Sequence, residues 1–132
     1  MTKAPTKVLV VDDRVEFRRL FELYIQDHPD FEIVGMCFRA DDLEDEIESL
    51  DPEVVVLDLS MPGRDPFEAM QTAKKRFASV EFLVFSLSDE HETVDKAMAA
   101  GATGYMVKEG GFDDLANAIR STARGEKVLP RR

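Results

Sequence analysis

The chain has 132 residues, 44% of them apolar and 33% charged, a size and balance that suit one ordinary folded domain and exclude both disorder and two full domains. Its 27 acidic and 17 basic residues leave a net charge of −10, which repels a phosphate backbone and argues against direct nucleic-acid binding by this domain. A single cysteine, no apolar run near the roughly 20 residues of a membrane span and no signal-peptide core point to a reducing cytoplasm and no membrane partner.

Short runs rich in Val, Ile and Phe alternate along the chain with stretches of helical spacing. Lys7 to Val11 reads as a strand; Val15 to Gln26 follows as a helix, with Phe17, Leu20, Phe21, Tyr24 and Ile25 on one face. Phe31 to Cys37 is the next strand, and Asp41 to Leu50 the next helix, with Leu43, Ile47 and Leu50 opposite a solvated acidic face. Val54 to Leu57 is apolar without alternation, as expected of a strand covered on both faces, and Pro66 to Phe77 makes the third helix. Asp65 stands as its N-cap, with Pro66 at the first helical position. Glu81 to Phe85 with Thr93 to Ala100, then Gly104 to Val107 with Asp113 to Arg124, complete five strand-helix pairs. Such alternation predicts an α/β, doubly wound parallel sheet with helices on both faces and ligands at the carboxyl ends of the strands. Residues 1–125 form the expected domain, and 126–132 a surface tail or the start of a linker.

Four of the five predicted strands run into polar residues at that end: Asp12-Asp13, Asp58, Ser86 and Lys108. Three carboxylates brought together repel one another, and a hard divalent cation with oxygen ligands relieves that repulsion; Mg²⁺ is the natural candidate. A carboxylate beside such a metal is a nucleophile towards phosphorus, and an ammonium and a hydroxyl complete the neutralisation that phosphoryl transfer requires. Each residue also has an ordinary reading. Asp13 with Glu16 fits a capping box, Asp58 a turn aspartate, Ser86 a loop hydroxyl, Lys108 a solvated charge and Tyr105 a half-buried aromatic. The common address of the first four favours the site.

In combination, Val-Leu-Val-Val-Asp-Asp at 8–13, Val-Leu-Asp-Leu-Ser-Met-Pro-Gly at 56–63, Phe-Ser at 85–86 and Gly-Ala-Thr-Gly-Tyr-Met-Val-Lys at 101–108 resemble the receiver domains of two-component response regulators. The resemblance runs from about Lys7 to Leu129. It implies a flavodoxin-like sheet in the order 2-1-3-4-5 with five helices. It also implies a signalling switch that catalyses only its own phosphorylation and dephosphorylation, not a metabolic enzyme. Asp58 would be the phosphoacceptor; Asp13 and Asp58 would bind Mg²⁺ directly, Asp12 through water, and Ser60 through its backbone carbonyl. Ser86 and Lys108 would contact the phosphoryl group, and Tyr105 would turn inward on activation, with helix four, strand five and helix five as the output surface. A sensor histidine kinase is the implied partner, and the reading admits a homodimer on activation.

Lys108-Glu109 in place of a Lys-Pro pair, and Ala118-Ile119 leading to Gly125, resemble the branch whose longer members carry a helix-turn-helix and control transcription. The missing proline removes an expected cis peptide, so Gly110 and Gly111 are expected to shape that turn. Three rivals fit less well. A flavin carrier would have its phosphate repelled by Asp12-Asp13, an aspartyl phosphatase normally has a second acid where Ser60 stands, and a bare interaction module has no need to keep every polar position.

Overall fold

The computed structural model describes residues 4–109 and 111–130, so Gly110, one of the two glycines expected to set the turn after the fifth strand, lies outside the described residues. The elements follow in order as β1 (Thr6–Val11), α1 (Val15–Ile25), β2 (Phe31–Cys37), a 3-10 turn (Ala40–Asp42) leading into α2 (Leu43–Leu50), β3 (Val54–Leu57), α3 (Pro66–Arg76), β4 (Glu81–Ser86), α4 (His91–Ala99), β5 (Gly104–Val107) and α5 (Phe112–Ala123). The sheet order is β2-β1-β3-β4-β5 and every pair is parallel, the doubly wound arrangement that the alternation predicts.

Burial explains the strands. All four residues of β3 are buried because helices cover both faces of the sheet. One face carries an aliphatic core in which α2, α3 and α4 contribute Leu43, Ile47, Met70 and Val94. The other is aromatic: Phe17 and Phe21 of α1 stack with each other at 5.8 Å, and Phe21 stacks on Phe112 of α5 at 5.9 Å.

Local chemistry sets the ends of the helices. The Asp65 carboxylate accepts from the Phe67 N–H at 2.9 Å with Pro66 in the first turn, as the sequence leads one to expect. The capping-box reading of Asp13 does not hold: the N-cap of α1 is Arg14, and no side chain caps it. Leu20 also departs from the expected buried stripe. It is 54% exposed, because α1 rests on its Phe17–Phe21–Tyr24 edge, and Leu20, about 100° round the helix from Phe21, falls outside that edge.

The acidic segment before and within α2 is more than a solvated face. Asp41 accepts from the Arg64 backbone N–H at 3.0 Å, and Glu44 takes the Arg64 guanidinium with both oxygens at 2.8 Å. These contacts tether the loop after β3. Gly63 in that loop has φ +98°, and a Cβ there would lie 2.6 Å from Asp41 Oδ1, so the tether needs glycine at this point.

After α5 the chain turns back along the sheet. Val128 pairs in parallel with Gly104, and its carbonyl accepts from the Tyr105 N–H at 2.7 Å. Gly104 leaves room for this approach, since a Cβ there would meet Leu83 and Thr122 side-chain atoms at 2.9 Å and Val128 at 3.1 Å. Among the described residues no cis peptide occurs and no helix is long and apolar enough to cross a membrane.

Candidate functional site at the carboxyl ends of the strands

Register brings the polar residues together. Val11 pairs with both Cys37 and Leu57, Leu57 with Val84, and Ser86 with Val107, so β1, β3, β4 and β5 end nearly level. The next residue along β1, β3 and β5 is Asp12, Asp58 and Lys108 respectively, and Ser86 closes β4. Each charge is therefore delivered by a rigid strand packed in an apolar core, which limits its freedom more than a surface loop would.

Asp12 and Asp58 are buried and Asp13 is exposed, and a carboxylate oxygen from each lies within 4.8 Å of the others. Lys108 sits between two of them, its Nζ donating to Asp58 Oδ1 at 2.8 Å and to Asp12 Oδ2 at 3.3 Å. Its side chain is only 5% exposed, so the ordinary reading of Lys108 as a solvated charge fails. The stem runs past Phe85, whose ring centre is 5.4 Å from Nζ.

Three carboxylates against one buried ammonium leave the cluster anionic, in surroundings where charge is poorly screened. The donor set consists of oxygen atoms converging from two strand ends, which fits a hard divalent cation and fits zinc or copper poorly. Ser60, expected to supply a carbonyl, lies exposed in the loop two residues after Asp58.

Ser86 belongs to β4 and Tyr105 to β5, the two strands beyond β3. Ser86 is buried at the end of β4, and its Oγ accepts from the Ser88 N–H at 3.1 Å. Tyr105 is fully buried, and its hydroxyl donates to the Ser88 carbonyl at 2.7 Å. The half-buried reading of Tyr105 is thus corrected: in this structure the ring lies inside. One participant escaped the sequence reading. Arg14 places its backbone N–H 2.9 Å from Asp12 Oδ1 and its guanidinium 3.4 Å from both Asp12 oxygens. Its adjacency to Asp12-Asp13 was the available signal.

Residues without an assigned role behave as packing predicts. Cys37 is buried, which pushes its thiol up from the usual range, and its Sγ donates to the Arg39 carbonyl at 3.0 Å. His28, in the turn after α1, stacks on Tyr24 at 4.3 Å and stands 3.3 Å from an Arg120 nitrogen.

Residues 8–120 match the response regulator receiver domain family. The nitrate/nitrite response regulator protein NarL of Escherichia coli strain K12 is 34% identical over 125 residues, covering 95% of this chain and 58% of the relative. The response regulator protein VraR of Staphylococcus aureus is 32% identical over 123 residues, covering 93% of this chain and 59% of the relative. The chain thus spans under two thirds of the length of these relatives. A two-component response regulator of the LuxR family from Aurantimonas sp. SI85-9A1 superposes with a TM-score of 0.88 at 25% identity, over 95% of this chain and 89% of that one. The signal receiver domain of the putative response regulator NarL from Mycobacterium tuberculosis shares the fold at a TM-score of 0.87 and 24% identity, over 94% and 100% of the two chains. Level strand ends, the buried lysine between two aspartates and these matches agree: the chain belongs to the response regulator receiver domain family of two-component signalling.

Proposed function

We propose that Asp58 accepts a phosphoryl group from a sensor histidine kinase, with Mg²⁺ held by Asp12, Asp13, Asp58 and the Ser60 carbonyl, and that this reaction switches an output surface. The observation that supports it most directly is Lys108, buried and bonded to Asp58 at 2.8 Å, where it stands beside the oxygen that would carry phosphorus.

An Asp58 oxygen would attack phosphorus in line as the phosphorus–nitrogen bond of a phosphohistidine breaks, the electron pair leaving with the imidazole, which takes up a proton. When bound, Mg²⁺ supplies the charge neutralisation that the three carboxylates lack. Lys108 would hold Asp58 before the reaction and pair with a phosphoryl oxygen after it. Ser86 would release the Ser88 N–H and turn its hydroxyl to the phosphoryl group. Hydrolysis by water would return Asp58, so the domain acts on itself alone.

Because Tyr105 already points inward, phosphorylation would hold an orientation that the ring has taken, and would not create it. Complete conversion of a two-state domain from a fully outward ring takes about 5 kcal/mol of differential stabilisation; a ring that starts inward needs less. The output surface in this reading is α4, β5 and α5, open to homodimer formation. Residues 1–125 serve as the receiver and 126–132 as the tail or the beginning of a linker, in a cytoplasmic parent protein that controls transcription.

The test is incubation with Mg²⁺ and acetyl phosphate, followed by mass spectrometry of the intact chain. One phosphoryl mass per chain is expected, absent after Asp58→Asn, whose fold should stay nearly intact. Continued labelling of that variant defeats the assignment. Turnover of an external phosphoester would favour a phosphatase instead.

A further inference from the structure

Arg14 lies between β1 and α1, belongs to neither, and places three nitrogens against one buried carboxylate. Its N–H donates to Asp12 Oδ1 at 2.9 Å, its Nε lies 3.4 Å from the same oxygen, and its Nη2 lies 3.4 Å from Oδ2. With Lys108 Nζ on Oδ2 at 3.3 Å, both oxygens of Asp12 are engaged by cationic groups. The two attachments of Arg14 differ in what can release them. The N–H is fixed by the backbone entering α1. The guanidinium hangs on a side chain that is 45% exposed, its carbon 5.5 Å from the Phe17 ring centre, so it can swing into solvent without opening the core.

We propose that Arg14 is a resident counter-cation of the strand-end cluster, whose guanidinium must give up Asp12 when a divalent ion enters and so lowers the affinity of the site for that ion. The competition is electrostatic. Asp12, Asp13 and Asp58 against Lys108 alone sum to −2; Arg14 brings the sum to −1 and occupies lone pairs on Asp12 that an incoming dication or its waters must take. Occupancy then depends on a competition within the chain as well as on the ion concentration. The inference rests on the Mg²⁺-dependent reading above.

The test is stepwise addition of MgCl₂ alone to the intact chain, followed by amide NMR shifts near Asp13 and Asp58, for the wild type, Arg14→Ala and Arg14→Lys. Loss of a half-exposed ion pair should tighten Mg²⁺ binding by roughly two- to five-fold in Arg14→Ala, with Arg14→Lys between that variant and the wild type. Thermal melting provides a readout independent of phosphorylation: Arg14→Ala should melt below the wild type in EDTA and gain more from Mg²⁺. Binding by Arg14→Ala that is equal to or weaker than wild type overturns the proposal. If neither protein binds Mg²⁺ saturably, the metal reading itself falls, and this proposal with it; binding by Arg14→Ala alone would support it in its strongest form.

Discussion

Two clusters of charge near the carboxyl ends of the strands have the same inventory and opposite surroundings. In one, Asp12, Asp13 and Asp58 face Lys108 and Arg14; in the other, Asp41, Glu44 and Glu68 face Arg39 and Arg64. Each has three anions and two cations. The first has a core of Asp12, Asp58 and Lys108 buried to within 5% exposure, with Asp13 and Arg14 on its open side, whereas in the second Asp41, Arg39 and Glu68 are 40%, 58% and 65% exposed and even the central Arg64 and Glu44 keep 22% and 20%. Burial, and not charge count, makes the first a candidate site and the second a tether. Water screens the second, while the first can change its balance only by exchanging cations or accepting a group.

The largest effect should come from removing the buried cation. Lys108→Met leaves Asp12 and Asp58 uncompensated and should lower stability in urea by about 3–5 kcal/mol without metal, with part recovered in millimolar Mg²⁺. An unchanged midpoint would show that the two clusters do not differ as described. Arg64→Ala should be milder, about 1 kcal/mol, because Glu44 keeps a fifth of its surface in water and gains more when the arginine is gone. That loss should shrink in molar salt, and the loss from Lys108→Met should shrink much less; equal salt sensitivity would contradict the contrast.

The smallest effect concerns pH. The Arg64 N–H bonded to Asp41 holds its carboxyl below the usual carboxylate range. A depressed folded-state value means that the contribution is present above the unfolded value and lost as pH falls through the folded one. Ionised Asp41 keeps the loop tied at neutral pH and, once protonated, should loosen it in acid. Asp41→Asn should therefore differ slightly from wild type at pH 7 and converge with it near pH 2, as acid unfolding followed by circular dichroism would show.

The sheet was legible because its strands are short, apolar and bounded by turn residues, and three of them, Phe31–Cys37, Val54–Leu57 and Gly104–Val107, begin and end where their residues predict. The helix edges were less so. Leu20 fits an apolar stripe by spacing, yet its direction is set by where Phe21 stacks, a tertiary fact that no local pattern contains. The convergence of Asp12, Asp58 and Lys108 follows from parallel strands ending level, which the alternation of elements already implies. Arg14 was missed because an arginine after an acidic pair looks like any surface charge until its distance to Asp12 is known. The inward Tyr105 was missed for a related reason: its partner is the carbonyl of Ser88, and a backbone acceptor leaves no trace in residue identity.

A parallel sheet has two margins, and a bare margin invites other chains to add strands. The return of Val128 to Gly104 and Tyr105 shields part of the β5 margin with the molecule's own backbone. The chain therefore carries its own stopper there, and displacing it would at once uncover a strand ready to pair and loosen the backbone under the innermost tyrosine.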